Sequence, residues 1–80
     1  MSKVEIYSNM WCPFCHRAKQ LLQSKGAEFE EFDVEANPAL RNEMTQRSGG
    51  RQTVPQIFIN DKYLEGGFDE FMWLNELGEL

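Results

Sequence analysis

An α/β domain with the element order β-α-β-α-β-β-α is the fold class this sequence predicts, and three observations predict it. Lys3-Val4-Glu5-Ile6-Tyr7-Ser8 alternates like a strand, the run after Cys12 has helical spacing, and Phe29-Glu30-Glu31-Phe32-Asp33-Val34 is strand-like again. Strand, helix, strand at this length is a βαβ unit, so the first two strands should run parallel. Further on, Val54 to Ile59 and Tyr63-Leu64-Glu65 flank a turn-like Asn60-Asp61-Lys62, the pattern of a hairpin.

The helices follow from their ends and spacing. A short loop, Asn9-Met10-Trp11, leads to Cys12, and Pro13 suits a first helical turn, where its missing N–H is no loss. Phe14, Ala18, Leu21 and Leu22 recur at helical spacing; Gly26 ends the helix, with Lys25 near its negative end. Asn37-Pro38 starts a second helix as N-cap and first residue, with Leu40 and Met44 facing inward and Gly49-Gly50 closing it. Gly66-Gly67 breaks the pattern. Asp69-Glu70 then opens a last helix carrying Phe71, Met72, Leu74 and Leu77, its acidic first turn matching the positive end of the dipole. Trp73 in that helix is assigned to the core. There is no repeat, low-complexity tract or linker, so residues 1–80 read as one domain.

The composition bounds the function. Eighty residues make a small core near the lower limit for folding alone, and 41% hydrophobic with 12% aromatic residues argues against a disordered chain. A net charge of −5 without a Lys/Arg stripe disfavours a nucleic-acid partner, and none is expected. No apolar run approaches the roughly 20 residues of a membrane span. Met1-Ser2-Lys3-Val4-Glu5 lacks the charged-then-apolar order of a signal peptide, so a cytoplasmic protein is expected.

The only two cysteines stand two residues apart in Cys12-Pro13-Phe14-Cys15, directly after a strand and before a helix. In that setting a C-x-x-C is a redox dithiol, because its spacing lets both sulfurs meet across one helical turn. The thiolate is the nucleophile, and such motifs lower a cysteine pKa from about 8.5 to roughly 3.5–7.5. A permanent staple is the poorer reading: cytosolic thiols are kept reduced, and a four-residue ring stabilises little. A zinc site usually takes four ligands, and only Cys12, Cys15 and His16 are at hand, so no metal is expected.

The order of elements, together with Cys12-Pro13-Phe14-Cys15, Thr53-Val54-Pro55 and Gly66-Gly67-Phe68-Asp69, resembles the glutaredoxins over nearly the whole chain, most closely the short bacterial dithiol type. These three segments look like that family's C-P-[YF]-C, T-V-P and G-G-x-D. The resemblance implies a thioredoxin-like fold, a four-stranded mixed sheet with helices on both faces. It also implies a monomeric enzyme that reduces protein disulfides and protein–glutathione mixed disulfides, with glutathione as co-substrate and no bound cofactor.

On that resemblance Cys12, at a helix N-terminus whose N–H groups and dipole favour an anion, is the attacking thiolate. Cys15, one turn inside and less exposed, resolves the mixed disulfide formed at Cys12. Phe14 is an apolar wall beside glutathione, or else a core aromatic. Pro55 is implied to be cis, although only about 5–6% of X–Pro bonds in folded proteins are. Thr53, Val54 and Pro55 then line the site, and the Val54 main chain pairs with a peptide-like substrate. Gly66-Gly67 lets the backbone approach the ligand closely, and Phe68 and Asp69 hold the γ-glutamyl end, their N–H groups taking its carboxylate and the Asp69 carboxylate its ammonium. Asp69 also suits a helix cap. Arg41 falls where the family often has Gln or Arg contacting the glycine carboxylate; its alternative is a solvated charge. His16 reads as an exposed structural residue, and Trp11 as a shield over Cys12.

The chain departs from the family pattern in two ways. Many members carry Lys three residues before the first cysteine, where this chain has Asn9. The loops before Thr53 and before Gly66 look one residue longer than usual. Two further readings therefore stand beside the first: an electron donor to ribonucleotide reductase recycled by thioredoxin reductase, and an iron–sulfur carrier bridging two chains. Pro13 and Cys15 disfavour the latter, whose class usually has one cysteine followed by Gly-Phe-Ser.

Overall fold

The computed structural model describes residues 3–78. Met1 and Ser2, on which part of the leader-peptide reading rested, lie outside the described residues, as do Glu79 and Leu80 of the domain read over 1–80. The elements are β1 (Val4–Ser8), α1 (Pro13–Ser24), β2 (Phe29–Asp33), α2 (Pro38–Arg47), β3 (Gln56–Ile59), β4 (Lys62–Tyr63) and α3 (Gly67–Glu76). This is the expected β-α-β-α-β-β-α order.

The four strands form one mixed sheet in the order β2-β1-β3-β4. β1 and β2 are parallel, with Val4 opposite Phe29 and Ser8 opposite Asp33. β1 and β3 are antiparallel, as are β3 and β4. The alternation of β1 distributes its side chains to two apolar layers. Val4 and Ile6 pack with Ala18 and Leu22 of α1, Ile57, Leu64, and Phe71 of α3. On the other face Tyr7 packs with Val34, Met44 of α2 and Phe58. Helices on both sides explain why every residue of β1 is buried, Glu5 included.

Glu5 is tolerated there because Arg47 of α2 reaches it with two hydrogen bonds, of 3.0 and 3.3 Å. The same guanidinium donates to the Tyr7 hydroxyl at 2.9 Å and lies 3.9 Å from the Phe58 ring centre. Tyr7 in turn donates to Glu43. Burying a carboxylate without such a partner would cost several kcal/mol, of order 3–5 kcal/mol when one member of a buried pair is removed.

Several element limits differ from expectation for local reasons. The hairpin turn needs only Asn60 and Asp61, both with positive φ (52° and 66°), so Lys62 already pairs with Ile59 and β4 ends at Tyr63. β3 begins at Gln56 rather than Val54, because the Val54–Pro55 peptide bond is cis and Pro55 has no N–H for the ladder. α3 begins at Gly67, two residues before Asp69. Trp73 is not core: it is 60% exposed. Two residues on from buried Phe71 is about 200° around a helix, which turns Trp73 outward. Leu77, at the C-cap, is exposed as well.

Candidate active site

Cys12 is the N-cap of α1, with the extended backbone of a cap (φ −93°, ψ 108°). Its sulfur accepts the Cys15 N–H at 3.1 Å, one of the donors that a helix N-terminus leaves without an intrahelical partner. Pro13 occupies the first helical position. One turn of helix thus brings Cys12 and Cys15 together, both as free thiols.

The two cysteines differ in environment. Cys12 is 8% exposed, while Cys15 is fully enclosed. Burial pushes the Cys15 thiol up to about 12, and its hydrogen bond to Cys12 and the charge there push the same way. The Asn9 main chain and the Lys19 ammonium pull weakly in the opposite direction. Cys15 therefore stays a neutral thiol near pH 7.

The loop before Cys12 is closed by its own polar groups. Asn9 Oδ1 accepts the Trp11 N–H at 3.0 Å. The His16 Nε2 donates to the Met10 carbonyl at 2.9 Å, the carbonyl being able only to accept. His16 is thus the exposed structural residue expected. Trp11 is 80% exposed and Met10 also faces solvent, so Trp11 stands beside Cys12 rather than packed over it. Phe14 is 52% exposed, which removes the core-aromatic reading. Its ring lies 5.2 Å from that of Phe68, joining α1 to the first turn of α3.

The second half of the site comes from the segments before β3 and α3. Gln56 Nε2 donates to the Thr53 carbonyl at 2.8 Å, fixing the bend that leads into cis Pro55. Gly67 has φ +61°, a conformation that favours glycine, and a Cβ there would stand 4.0 Å from the Pro55 carbonyl. Gly66 is close to its neighbour too: a Cβ there would meet the Glu70 Cβ at 2.8 Å. The Glu70 carboxylate accepts the Gly66 N–H at 2.9 Å, so Glu70 rather than Asp69 serves the start of α3. Asp69 is left exposed in the first turn.

Arg41 pairs with Glu35 at 2.8 Å and reaches the Gln52 carbonyl at 3.4 Å. It is held beside the segment that leads into Thr53, not free in solvent. The contacts thus link Cys12 and Cys15 through Phe14 to Phe68, Gly67 to Pro55, and Arg41 to the chain before Thr53.

Polar partners missed in the sequence lie beneath α1. Lys19, one turn beyond Cys15, pairs with Glu31 of β2 at 2.6 Å, and the same carboxylate oxygen accepts the Ser8 hydroxyl at 2.7 Å. Burial opposes ionisation of Glu31, but Lys19 and Ser8 outweigh it and hold the carboxyl below its usual range. The available signal was positional: Lys19 is four residues from Cys15, and Glu31 shares a strand face with Phe29. A hollow of about 1010 Å³ lies at the opposite end of α1, lined by Leu22, Lys25, Ala27, Phe29 and Ile59 among others, away from the dithiol. Among the described residues no cluster of three or more His, Cys, Asp or Glu could hold a metal ion, and no helix is long and apolar enough to cross a membrane.

A thioredoxin-like sheet with Cys-x-x-Cys at the head of α1 defines a class of dithiol redox proteins. Comparison with known proteins narrows the class. The glutaredoxin family model matches residues 4–64. Glutaredoxin 3 of Escherichia coli (strain K12) is 51% identical over 80 residues, covering 100% of this chain and 94% of the relative. The solution structure of glutaredoxin from Brucella melitensis superimposes with a TM-score of 0.75 at 51% identity, over 96% of this chain and 82% of that one. The crystal structure of a buckwheat glutaredoxin–glutathione complex gives 0.82 at 28% identity, over 99% and 73%. The chain belongs to the glutaredoxin family, and it is a thiol–disulfide oxidoreductase.

Proposed function

We propose that this protein reduces protein disulfides and protein–glutathione mixed disulfides through Cys12 and Cys15, with glutathione as the reductant. The single observation that carries this reading is the asymmetry of the dithiol. Cys12 caps the helix with its sulfur on a backbone N–H, while Cys15 is enclosed and protonated. One sulfur is set to attack and the other to wait.

In the proposed cycle the Cys12 thiolate attacks a sulfur of the substrate disulfide. A new S–S bond to Cys12 forms as the substrate bond breaks, and the departing thiolate takes a proton. A glutathionylated substrate leaves glutathione on Cys12, which a second glutathione removes as glutathione disulfide. A protein disulfide leaves the protein on Cys12. Cys15 then attacks, releasing the reduced protein and closing the Cys12–Cys15 disulfide, which two glutathiones reopen.

The glutathione site follows from the family and from what stands around Cys12. Exposed Phe14, its ring set against half-buried Phe68, forms an aromatic edge beside the dithiol. Thr53, Val54 and Pro55 supply an edge for an extended substrate. Gly67 donates its own N–H to the Leu64 carbonyl at 3.0 Å, so the N–H groups of Phe68 and Asp69 are the ones that suit the γ-glutamyl carboxylate, and the Asp69 side chain, free of capping duty, suits its ammonium. Arg41 suits the glycine carboxylate once it exchanges Glu35 for the ligand. The buckwheat relative was solved with glutathione bound, which supports the assignment. No bound cofactor is needed, a monomer suffices, and a reducing cytoplasm suits two free thiols.

The test is turnover of a small glutathione mixed disulfide with glutathione and glutathione reductase as the coupled reductant. Robust turnover is expected, retained in Cys15→Ser, which loses only reduction of protein disulfides through the dithiol route. One observation favours a second reading: Asn9 replaces the usual Lys, and its side chain is engaged by the Trp11 N–H. Without turnover, but with a disulfide reducible by thioredoxin reductase, the protein is a thioredoxin-recycled electron donor of the kind that serves ribonucleotide reductase. An iron–sulfur carrier would instead purify as a coloured dimer.

A further inference from the structure

Cys15 presents a problem that the reaction must solve. Its sulfur has no exposure to solvent, yet in the resolving step it must act as a thiolate. An anion formed in an enclosed site needs a nearby positive charge or hydrogen-bond donors. The groups facing it are few. From α1 they are Cys12, which carries the substrate sulfur at that moment, and Lys19 one turn on. From the end of β1 there is the main chain of Asn9. His16, the next residue on α1, is turned away onto the Met10 carbonyl. From β2 Glu31 is paired to Lys19, while the Asp33 carboxylate, which acts on Glu31, accepts the Glu35 and Ala36 N–H groups.

Lys19 is fixed in place rather than loose. Residues four apart lie on one face of a helix, so Lys19 stacks below Cys15 on the side facing the sheet. Its ammonium is 2.6 Å from Glu31 Oε2, and its side chain is only 20% exposed. Ser8, on the same face of β1 as Ile6, donates to that same oxygen at 2.7 Å. Three elements thus converge on one cation that stands one helical turn along from a sulfur that must become an anion. A solvated helix-face lysine would need none of this.

We propose that Lys19, anchored by Glu31 and Ser8, is a positioning residue whose ammonium supplies the counter-charge for Cys15 as it attacks the mixed disulfide at Cys12. This rests on the dithiol cycle above. The step balances without any further reagent. The Cys15 S–H bond breaks, its electron pair forms the bond to Cys12 Sγ, and the Cys12–substrate S–S bond breaks. The substrate thiolate leaves with the electron pair and is protonated by solvent, which also receives the Cys15 proton. Lys19 keeps its own protons throughout. Its charge lowers the energy of the Cys15 thiolate before the attack, and Glu31 limits that effect by sharing the same charge.

The experiment mixes fully reduced protein with glutathione disulfide, quenches with acid, and follows two species by mass spectrometry. These are the Cys12–glutathione adduct and the Cys12–Cys15 disulfide. In Lys19→Met, which keeps the apolar stem without the charge, closure relative to adduct formation should fall on the order of tenfold at pH 7. The pH profile of closure should move to higher pH. Lys19→Arg should restore both. Should Lys19→Met fail to fold, Lys19→Gln is measured the same way. Closure in the uncharged variant at the wild-type ratio and with the wild-type pH profile would overturn the proposal. So would a uniform loss of rate with an unmoved profile, which marks a purely structural lysine. Wild-type protein that forms no adduct with glutathione disulfide would instead overturn the functional reading itself.

Discussion

The two halves of the site are built to different rules. The dithiol half, from β1 and α1, is buried and fixed: Cys12 caps its helix, Cys15 is enclosed, and Lys19, Glu31 and Ser8 tie the layer beneath. The half contributed by Thr53–Pro55 and Gly66–Asp69 is open. Thr53 and Asp69 are exposed, and Arg41 is held by an ion pair that a ligand can replace. On the function proposed, the difference follows from the tasks. Sulfur chemistry depends on the charge state of each thiol, which burial and nearby charges set. Binding a small charged peptide needs accessible donors and acceptors, and it depends less on a dry environment.

The contrast can be broken most severely at Cys12. Cys12→Ser should reduce turnover of a glutathione mixed disulfide on the order of a thousandfold or more, since no other group supplies the attacking sulfur. Retained turnover, measured in the glutathione reductase-coupled assay, would mean that the chemistry is not in the fixed half.

Damage to the open half should read as weaker binding. Asp69→Asn removes a charge expected to meet the glutathione ammonium, and a hydrogen bond to a charged group contributes about 1.5–3 kcal/mol. KM for glutathione substrates should therefore rise roughly tenfold or more, with kcat changed much less. Equal losses in kcat and kcat/KM would place Asp69 in the chemistry instead. Thermal stability should hardly move, because Glu70 rather than Asp69 serves the start of α3.

The smallest effect concerns stability against alkali. The ordinary thiol value is 9.0, and the folded Cys15 thiol is raised to about 12 by its burial. Between these values the unfolded chain has lost a proton that the folded chain keeps, so stability falls as pH rises through this window and is fully present below it. Tyr7 acts in the same sense, raised from 10.0 to about 12 by burial and its bond to Glu43. Denaturant midpoints of the reduced protein should drop between about pH 9 and pH 12, and drop less in Cys15→Ala. An identical slope in the two proteins would show that Cys15 is not in a strongly desolvated site.

What the sequence disclosed was what is local. Cys12-Pro13 and Asn37-Pro38 each specify a helix start within two residues, and both caps are found. The β1 alternation and the parallel pairing with β2 followed from the βαβ pattern. The Val54–Pro55 cis bond was legible only through the family resemblance, since residues alone favour trans. Trp73 was misplaced because helical spacing says which residues share a face, not how wide the buried stripe is. Phe14 could be read either way for the same reason. The Glu5–Arg47 pair spans 42 residues and Lys19–Glu31 joins a helix to a strand, so spacing could give the faces on which Lys19 and Glu31 lie but not the pairings themselves.

Chemical trapping tests the division between the two halves most directly. Reduced protein is mixed with glutathione disulfide, alkylated at once, and digested to identify the glutathionylated cysteine by mass spectrometry. Glutathione on Cys12, with Cys15 alkylated or in the Cys12–Cys15 disulfide, is the predicted result. Glutathione on Cys15 while Cys12 remains free would contradict it, because the enclosed thiol would then be the one that attacks.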